Sequence, residues 1–383
     1  MEEIKNLLAP VVSKIKDTII LNLNGCNNNG LFWGKTGATI FLFEFENAFL
    51  NDKIFDIANE NIKYVISHFD KKNVSYVSGS SGIVSALNFL NSSDFIAASF
   101  SQEIYNKVDA MIFKQNTIVD LSINLCGITS YVLERYKYFK SDTSLAQLLR
   151  IERIICHVDA VDTFLNSSAL PFSVIRDIFE LNAKIDVLLL EVQNISNSAF
   201  LLNRIGKTTI YPTGTIRCQS LIISRIRKLL DIFNESIVKS SYFNAEHSSA
   251  FIFIITELYN ALILVSGINE SDLLNLSSSI VLLENEGFNK NDDNHWILNY
   301  KLITIQNLNN ILAKCYNNSL HNVLLRHIQS FVAKEMNSLY NHEIPSNLGE
   351  KISIGIMGYA GIGLTLLQCM SSEPNWNSLT LKH

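Results

Sequence analysis

The sequence predicts an all-α fold built from two layers of helices, and three observations carry that prediction. Glycines recur at a fixed interval: Gly37, Gly82 and Gly127 are 45 residues apart both times. A period in this range marks a repeat architecture in which each repeat is one supersecondary unit. Prolines are scarce, five in 383 residues, at positions 10, 171, 212, 345 and 374. So few breakers suit a mostly helical chain. Finally, stretches that are apolar nearly all round alternate with stretches that carry Lys, Asp and Glu on one side. The first kind reads as a helix buried on every side, the second as one facing solvent.

The elements follow in chain order. Glu3–Leu23 reads as an amphipathic helix with Pro10 as a kink near its start, followed by the Asn- and Gly-rich loop Asn24–Gly30. Gly34-Lys35-Thr36-Gly37 leads an apolar helix within Trp33–Phe49, and Asp52–Phe69 is its outer partner. Gly79-Ser80-Ser81-Gly82 leads Gly82–Leu90, with Ser99–Gln115 outside it. Asn124-Leu125-Cys126-Gly127 keeps only the second glycine and leads Gly127–Phe139, followed by Ser144–His157. After about residue 160 the repeat decays. Asn166–Ile175 falls where a fourth motif belongs, and Pro171 suits a helix start. Phe172–Asn194 is then the fourth inner helix, and Ile195–Thr215 an irregular link. Ile216–Lys239, Glu270–Leu283 and Asn318–Tyr340 read as outer helices, and His247–Leu264 and His295–Leu312 as inner ones, with Glu284–Asn294 a polar loop. The last inner helix, Gly355–Gln368, carries Gly358 and Gly361 three apart before an apolar run. Glycines so placed let the backbone turn sharply and approach a neighbour just before a helix begins.

Composition narrows the function classes. The chain is 48% hydrophobic, enough for a large core, and carries a net charge of −5 with pI near 5.9. No basic stripe stands out, which argues against nucleic acid. Six cysteines include no CxxC pair, the usage of a reduced cytoplasmic protein. The segment MEEIKNLL lacks the pattern of a signal peptide. The most apolar segment, Ser248–Ile268, contains Glu257 and Asn260 and reads as a buried helix, so no membrane span is expected.

Fourteen helices in seven pairs, with glycine motifs at the inner helix starts, resemble the lanthionine synthetase C-like family. The tail Pro374–Leu381 also resembles the way these proteins end. The glycine pattern is specific in the first three copies and the last; between about residues 160 and 340 spacing and helix count carry the likeness. The resemblance implies an α/α toroid of seven inner and seven outer helices formed by residues 1–383 as a single domain. It also implies a chemistry. The family's cyclases use zinc to turn a peptide cysteine into a thiolate, which adds to a dehydroalanine or dehydrobutyrine, while an acid/base group moves the proton. Precursor peptide and a lanthipeptide dehydratase are the implied partners.

Carried over residue by residue, little of the zinc site remains. Asp120, seven positions before Gly127, matches the family's acid/base aspartate; it also reads as a helix cap. Pro171 stands where a motif histidine belongs, Ser248 where one zinc cysteine belongs, and Asn294-His295 keeps the histidine of a Cys-His pair without its cysteine. A second register uses Leu320-His321-Asn322 with His247 as the fourth-motif histidine, but leaves too few residues for seven pairs. Cys315-Tyr316-Asn317 resembles the other zinc motif at two of four positions, at a helix end. Asp120 and His295 are thus the catalytic candidates. His247 and His295, 48 apart, are the metal candidates and need a third ligand from Asp120, Asp293 or Asn294; polar caps or hydrogen-bonded histidines are the alternative. Trp33, Tyr76 and Tyr359, in or beside the glycine motifs, are candidates for peptide contact, with packing as the alternative. Cys126 reads as a buried thiol, and Lys35 as a solvated lysine or an attractor of an anionic group. Two activities stay open: a degenerate cyclase that binds peptide or partner enzyme, and an active cyclase using Asp120 and His295 with or without metal. A toroid glycosidase needs paired pore carboxylates, which the motifs do not offer.

Overall fold

A computed structural model describes residues 2–68, 70, 72–96, 102–114, 123–138, 144–181, 184–239, 245–269, 271–276, 278–279, 304, 307–308, 311 and 353–370. Among the described residues the structure is all-helical, with no strand. Contacts gather the chain into two compact units.

The first unit holds α1 (Glu2–Leu23), α2 (Lys35–Phe49), α3 (Asp52–His68), α4 (Ser80–Ser92), α5 (Gln102–Lys114), α6 (Ile123–Tyr138) and α12 (Tyr359–Met370). α2 is its centre and packs against α1, α3, α4 and α12. Every residue of α2 from Lys35 to Phe45 is buried, as expected of a helix covered on all sides. α3 instead buries Ile54, Ala58, Asn61, Ile62 and Val65, one stripe at helical spacing. Leu50 closes α2 in the left-handed region, φ 52°, its N–H bonding Glu46 O, so two residues suffice to turn the chain into α3. Small residues set the helix spacing: Gly363 of α12 lies against the Phe41 ring, where a Cβ would come within 2.3 Å of it.

The second unit holds α7 (Leu145–Thr163), a π-helical turn Phe164–Ser168, α8 (Phe172–Leu181), α9 (Ile185–Gly206), α10 (Pro212–Lys239) and α11 (Ala245–Val265). α9 packs along α11, and α10 touches α7, α8, α9 and α11. Residues 271–276, 278–279, 304, 307–308 and 311 are also helical. The polar loop expected at Glu284–Asn294, the outer helix at Asn318–Tyr340 and the tail Pro374–Leu381 lie outside the described residues.

Two expectations are corrected here. The single helix expected over Phe172–Asn194 is two, α8 and α9, with Lys184 outside both at φ 59°. The irregular link expected over Ile195–Thr215 is helical up to Gly206 and again from Pro212. The polar run Asn194–Ser198 looks like a loop in sequence, yet Ser196 Oγ donates to Glu257 of α11 at 2.8 Å and Ser198 is fully buried. The Ser196 hydroxyl thus serves a polar partner inside the unit rather than solvent. α9 is also the one described helix long and apolar enough to cross a membrane, and half of its most apolar stretch is buried in the protein.

Candidate functional site

The glycine motifs build one structure three times. Asn28 O accepts from Lys35 N at 2.8 Å, Asn73 O from Ser80 N at 2.8 Å, and Ser353 O from Tyr359 N at 3.1 Å. In each loop the same residue folds its side chain onto the amide two positions on: Asn28 Oδ1 takes Gly30 N at 2.7 Å, Asn73 Oδ1 takes Ser75 N at 3.0 Å, and Ser353 Oγ takes Gly355 N at 3.1 Å. The loop then lies across the first turn of its own helix. A Cβ on Gly37 would stand 2.2 Å from Leu31 O, so only glycine admits the loop carbonyl there.

The loops bond to one another in the order last, first, second, third. Met357 N donates to Phe32 O at 2.8 Å and Ile356 N to Leu31 O at 3.3 Å. Phe32 N donates to Val77 O at 3.0 Å. The segment before the third motif, residues 115–122, lies outside the described residues, and the second loop meets Asn124 of α6 instead. Its Oδ1 accepts from Val77 N at 3.1 Å and from Ser75 Oγ at 2.7 Å. Asn124 holds the position of Gly34 and Gly79 in the other copies, so a side-chain amide supplies the acceptor that a loop carbonyl supplies elsewhere. Gly127 is required for a different reason: a Cβ there would lie 1.9 Å from Tyr76 Cγ.

Of the aromatic candidates, Trp33 is 41% exposed at the first loop, and Ser353 Oγ donates to its carbonyl at 2.8 Å. Tyr76 is 1% exposed and packs edge-on against Phe32. Tyr359 opens α12 and is buried, which pushes its phenol pKa up. Cys126 is fully buried at the position of Thr36 and Ser81, whose hydroxyls bond the loop carbonyls of Asn29 and Val74. Lys35 is not solvated: it is 6% exposed, its ammonium over the Tyr64 ring at 4.0 Å.

Asp120, Asp293, Asn294, His295, Cys315 and His321 lie outside the described residues. His247 and Ser248 are placed on α11 by their backbone, and their side chains lie outside the description. Among the described residues no group of three His, Cys, Asp or Glu stands together. The thiol of Cys218 is pushed up to about 11, by burial and then by Asp162, whose Oδ1 is 3.8 Å away. A thiol held protonated is a poor zinc ligand, so Cys218 in these surroundings offers no thiolate.

Sequence reasoning missed the buried charges. Arg225 Nε donates to Glu191 Oε1 at 2.9 Å, its Nη2 to Leu170 O at 2.6 Å, and its guanidinium lies over the Phe172 ring at 5.0 Å. Leu170 N returns to Glu191 Oε2 at 3.3 Å. This pair fastens the turn at Pro171, where a fourth glycine motif was expected. In the first unit Arg135 reaches Asp109 Oδ2 at 3.3 Å, and Tyr131 O–H donates to Asp109 Oδ1 at 2.9 Å. Spacing along one chain carries no signal for pairs that span 34 and 26 residues. Glu44, buried in α2, has its carboxyl raised by burial to about 7.

No family model matches the chain, and no curated protein matches it.

Proposed function

We propose that the chain is a divergent lanthionine synthetase C-like protein of the cytoplasm that binds a precursor peptide, or the dehydratase that modifies it, without the family's usual zinc site. In this reading residues 1–383 form one α/α toroid with seven inner and seven outer helices. The observation that supports it is the ladder of loops. The loop before α12 bonds to the loop before α2, and a ring of repeats needs such a seam between its last and first copies. The inner set is then α2, α4, α6, α9, α11, a helix expected over His295–Leu312 of which residues 304, 307–308 and 311 are described as helical, and α12, with α9 replacing Phe172–Asn194 as its fourth member. Asp120 and His295 remain the residues to test for acid/base work, and Trp33 the exposed aromatic to test for peptide contact.

The chemistry of the missing thiolates motivates the inactive reading. Ring closure needs an activated thiol and a group to protonate the resulting enolate, and Ser248 and Asn294 supply no thiolate at the expected positions. The test combines peptide binding, cyclisation and metal analysis. Precursor peptide or dehydratase is expected to bind, with no metal-dependent ring closure of a dehydrated peptide. Near-stoichiometric zinc by mass spectrometry, lost in the double variant His247→Ala with His295→Ala, would restore the active-cyclase reading. Failure to bind either partner would remove the proposal altogether.

A further inference from the structure

Lys35 is the first residue of α2, buried, with its ammonium against Tyr64 of α3. Among the described residues no carboxylate lies within ion-pair distance of it, and no acceptor takes its N–H groups. The place is unfavourable for a positive charge in two ways. The N-terminus of a helix is itself electropositive. The Lys35 side chain keeps only a narrow opening to solvent, 6% exposed, and the Tyr64 ring face is the one partner its ammonium has among the described residues. The other deeply buried cations with a charged partner show what the fold does when it stabilises such a group internally: Arg135 has Asp109 and Arg225 has Glu191.

The surroundings of Lys35 open to solvent on one side. Tyr64 is 44% exposed. His68 stacks on the same ring, centroids 4.2 Å apart and planes 15° apart. Two groups so close to one centroid must take opposite faces, so the ring stands between the ammonium and the imidazole. His68 Nδ1 is engaged with Tyr64 O at 3.0 Å and Ser67 Oγ at 2.8 Å. Asn29 Nδ2 donates to His68 O at 3.0 Å and ties the end of α3 to the first glycine loop. The Tyr64 hydroxyl makes no hydrogen bond among the described residues.

We propose that Lys35 and Tyr64 form a binding site for one carboxylate carried by a peptide. The carboxylate supplies the counter-ion that Lys35 lacks, and the Tyr64 hydroxyl donates to its second oxygen. Two donors match two oxygens; a phosphate dianion asks for more charge and more donors than the pair offers. The exposed part of the Tyr64 ring gives the peptide apolar area beside the charge. The proposal rests on these residues and stands whether or not the chain is a lanthionine synthetase C-like protein.

Ligand-observed NMR on the full chain tests it with three probes: acetyl-Ala-Glu-Ala-amide, acetyl-Ala-Gln-Ala-amide and inorganic phosphate. The Glu peptide is expected to bind at least about tenfold more tightly than the other two, and to weaken as salt is raised. Lys35→Met abolishes that preference, Lys35→Arg keeps it, and Tyr64→Phe weakens binding about fivefold. Lys35→Met is also expected to melt no lower than wild type, because the ammonium makes no ion pair or hydrogen bond among the described residues that the variant would lose; a lysine with a purely structural role would lower the melting temperature. Equal binding of the Glu and Gln peptides overturns the proposal, as does a Glu preference that survives Lys35→Met. Phosphate binding as tightly as the Glu peptide overturns the carboxylate assignment. If Lys35→Met does not fold, Tyr64→Phe and Lys35→Arg decide: a Glu preference unchanged by the first or lost in the second overturns it.

Discussion

Replacing Gly127 by alanine separates two opposite expectations. Gly127 lies inside α6, and alanine at a helix interior ordinarily adds about 1 kcal/mol of stability. Here the new methyl would meet Tyr76 at Cγ 1.9 Å, Cδ1 2.2 Å and Cβ 2.5 Å. These atoms are the root of the ring, so a rotation about the last torsion does not clear them. Tyr76 is 1% exposed, and the main chain beside it is held by Asn124 and Phe32. The ring must leave its site or α6 must back away. Overpacking of this severity belongs at the upper end of the usual range, about 3 kcal/mol, which leaves a net loss of about 2 kcal/mol after the propensity gain. Urea unfolding followed by circular dichroism measures it. With a slope of about 3 kcal/mol per molar the midpoint falls by roughly 0.7 M. Tyr76→Ala alone loses about 3–5 kcal/mol through the cavity it leaves. The double variant should lose less than the sum, because the clash disappears with the ring. A midpoint for Gly127→Ala equal to or above wild type, or strict additivity of the pair, would refute the packing argument.

Asn124→Ala removes one acceptor from two donors, Val77 N and Ser75 Oγ, and is expected to lower stability by about 1–2 kcal/mol in the same urea assay. Arg225→Met leaves Glu191 buried without its cation and should lose about 3–5 kcal/mol, while adding Glu191→Leu recovers most of it; a double variant worse than the single would contradict the assignment. Burial raises the Glu44 carboxyl from 4.5 to about 7, so the folded chain keeps a proton there that the unfolded chain has released. Its contribution is full below about pH 4.5 and lost as pH climbs to about 7, a fall of about 3 kcal/mol. Burial, and then Arg153, pulls His157 from 6.5 down to about 3, so its contribution is full above about pH 6.5 and lost as pH falls. The two slopes oppose each other between about pH 4.5 and 6.5, and Glu44→Gln should expose a stability that rises with pH across that window, measured as urea midpoints.

The loops were legible because their requirement is local. Gly34, Gly37, Gly79, Gly82, Gly358 and Gly361 stand where backbone meets backbone, and no other residue type fits, so their spacing survives in the sequence. The same logic explains the one copy that looked incomplete. Asn124 reads as a lost glycine until its side chain is seen taking over the role of a neighbouring loop. α9 was obscured for the converse reason: Ser196 is polar because Glu257 faces α9 from α11, and a sequence read in short windows cannot separate an inward polar residue from a loop. Lys35 shows the limit of composition. A lysine beside a glycine turn is ordinarily solvated, and only the position of Tyr64 on the next helix makes it a buried charge.

The bond between the loop before α12 and the loop before α2 also bears on the order of events during synthesis. α12 begins 324 residues after α2 begins, yet Gly363 packs on Phe41 and α12 lies along α1. A ribosome delivers domains in sequence, N-terminal first. Here α1 to α6 leave the exit tunnel well before the segment that completes their packing, and the whole second unit is made in between. The nascent N-terminal helices therefore wait with the α12 side of α2 uncovered. A contact spanning so much chain is slow to form and leaves apolar surface open to association meanwhile. A nonsense codon before Tyr359 would injure the part of the protein made first, and a chaperone that shields α1 and α2 would matter most to this chain in the interval before its last helix appears.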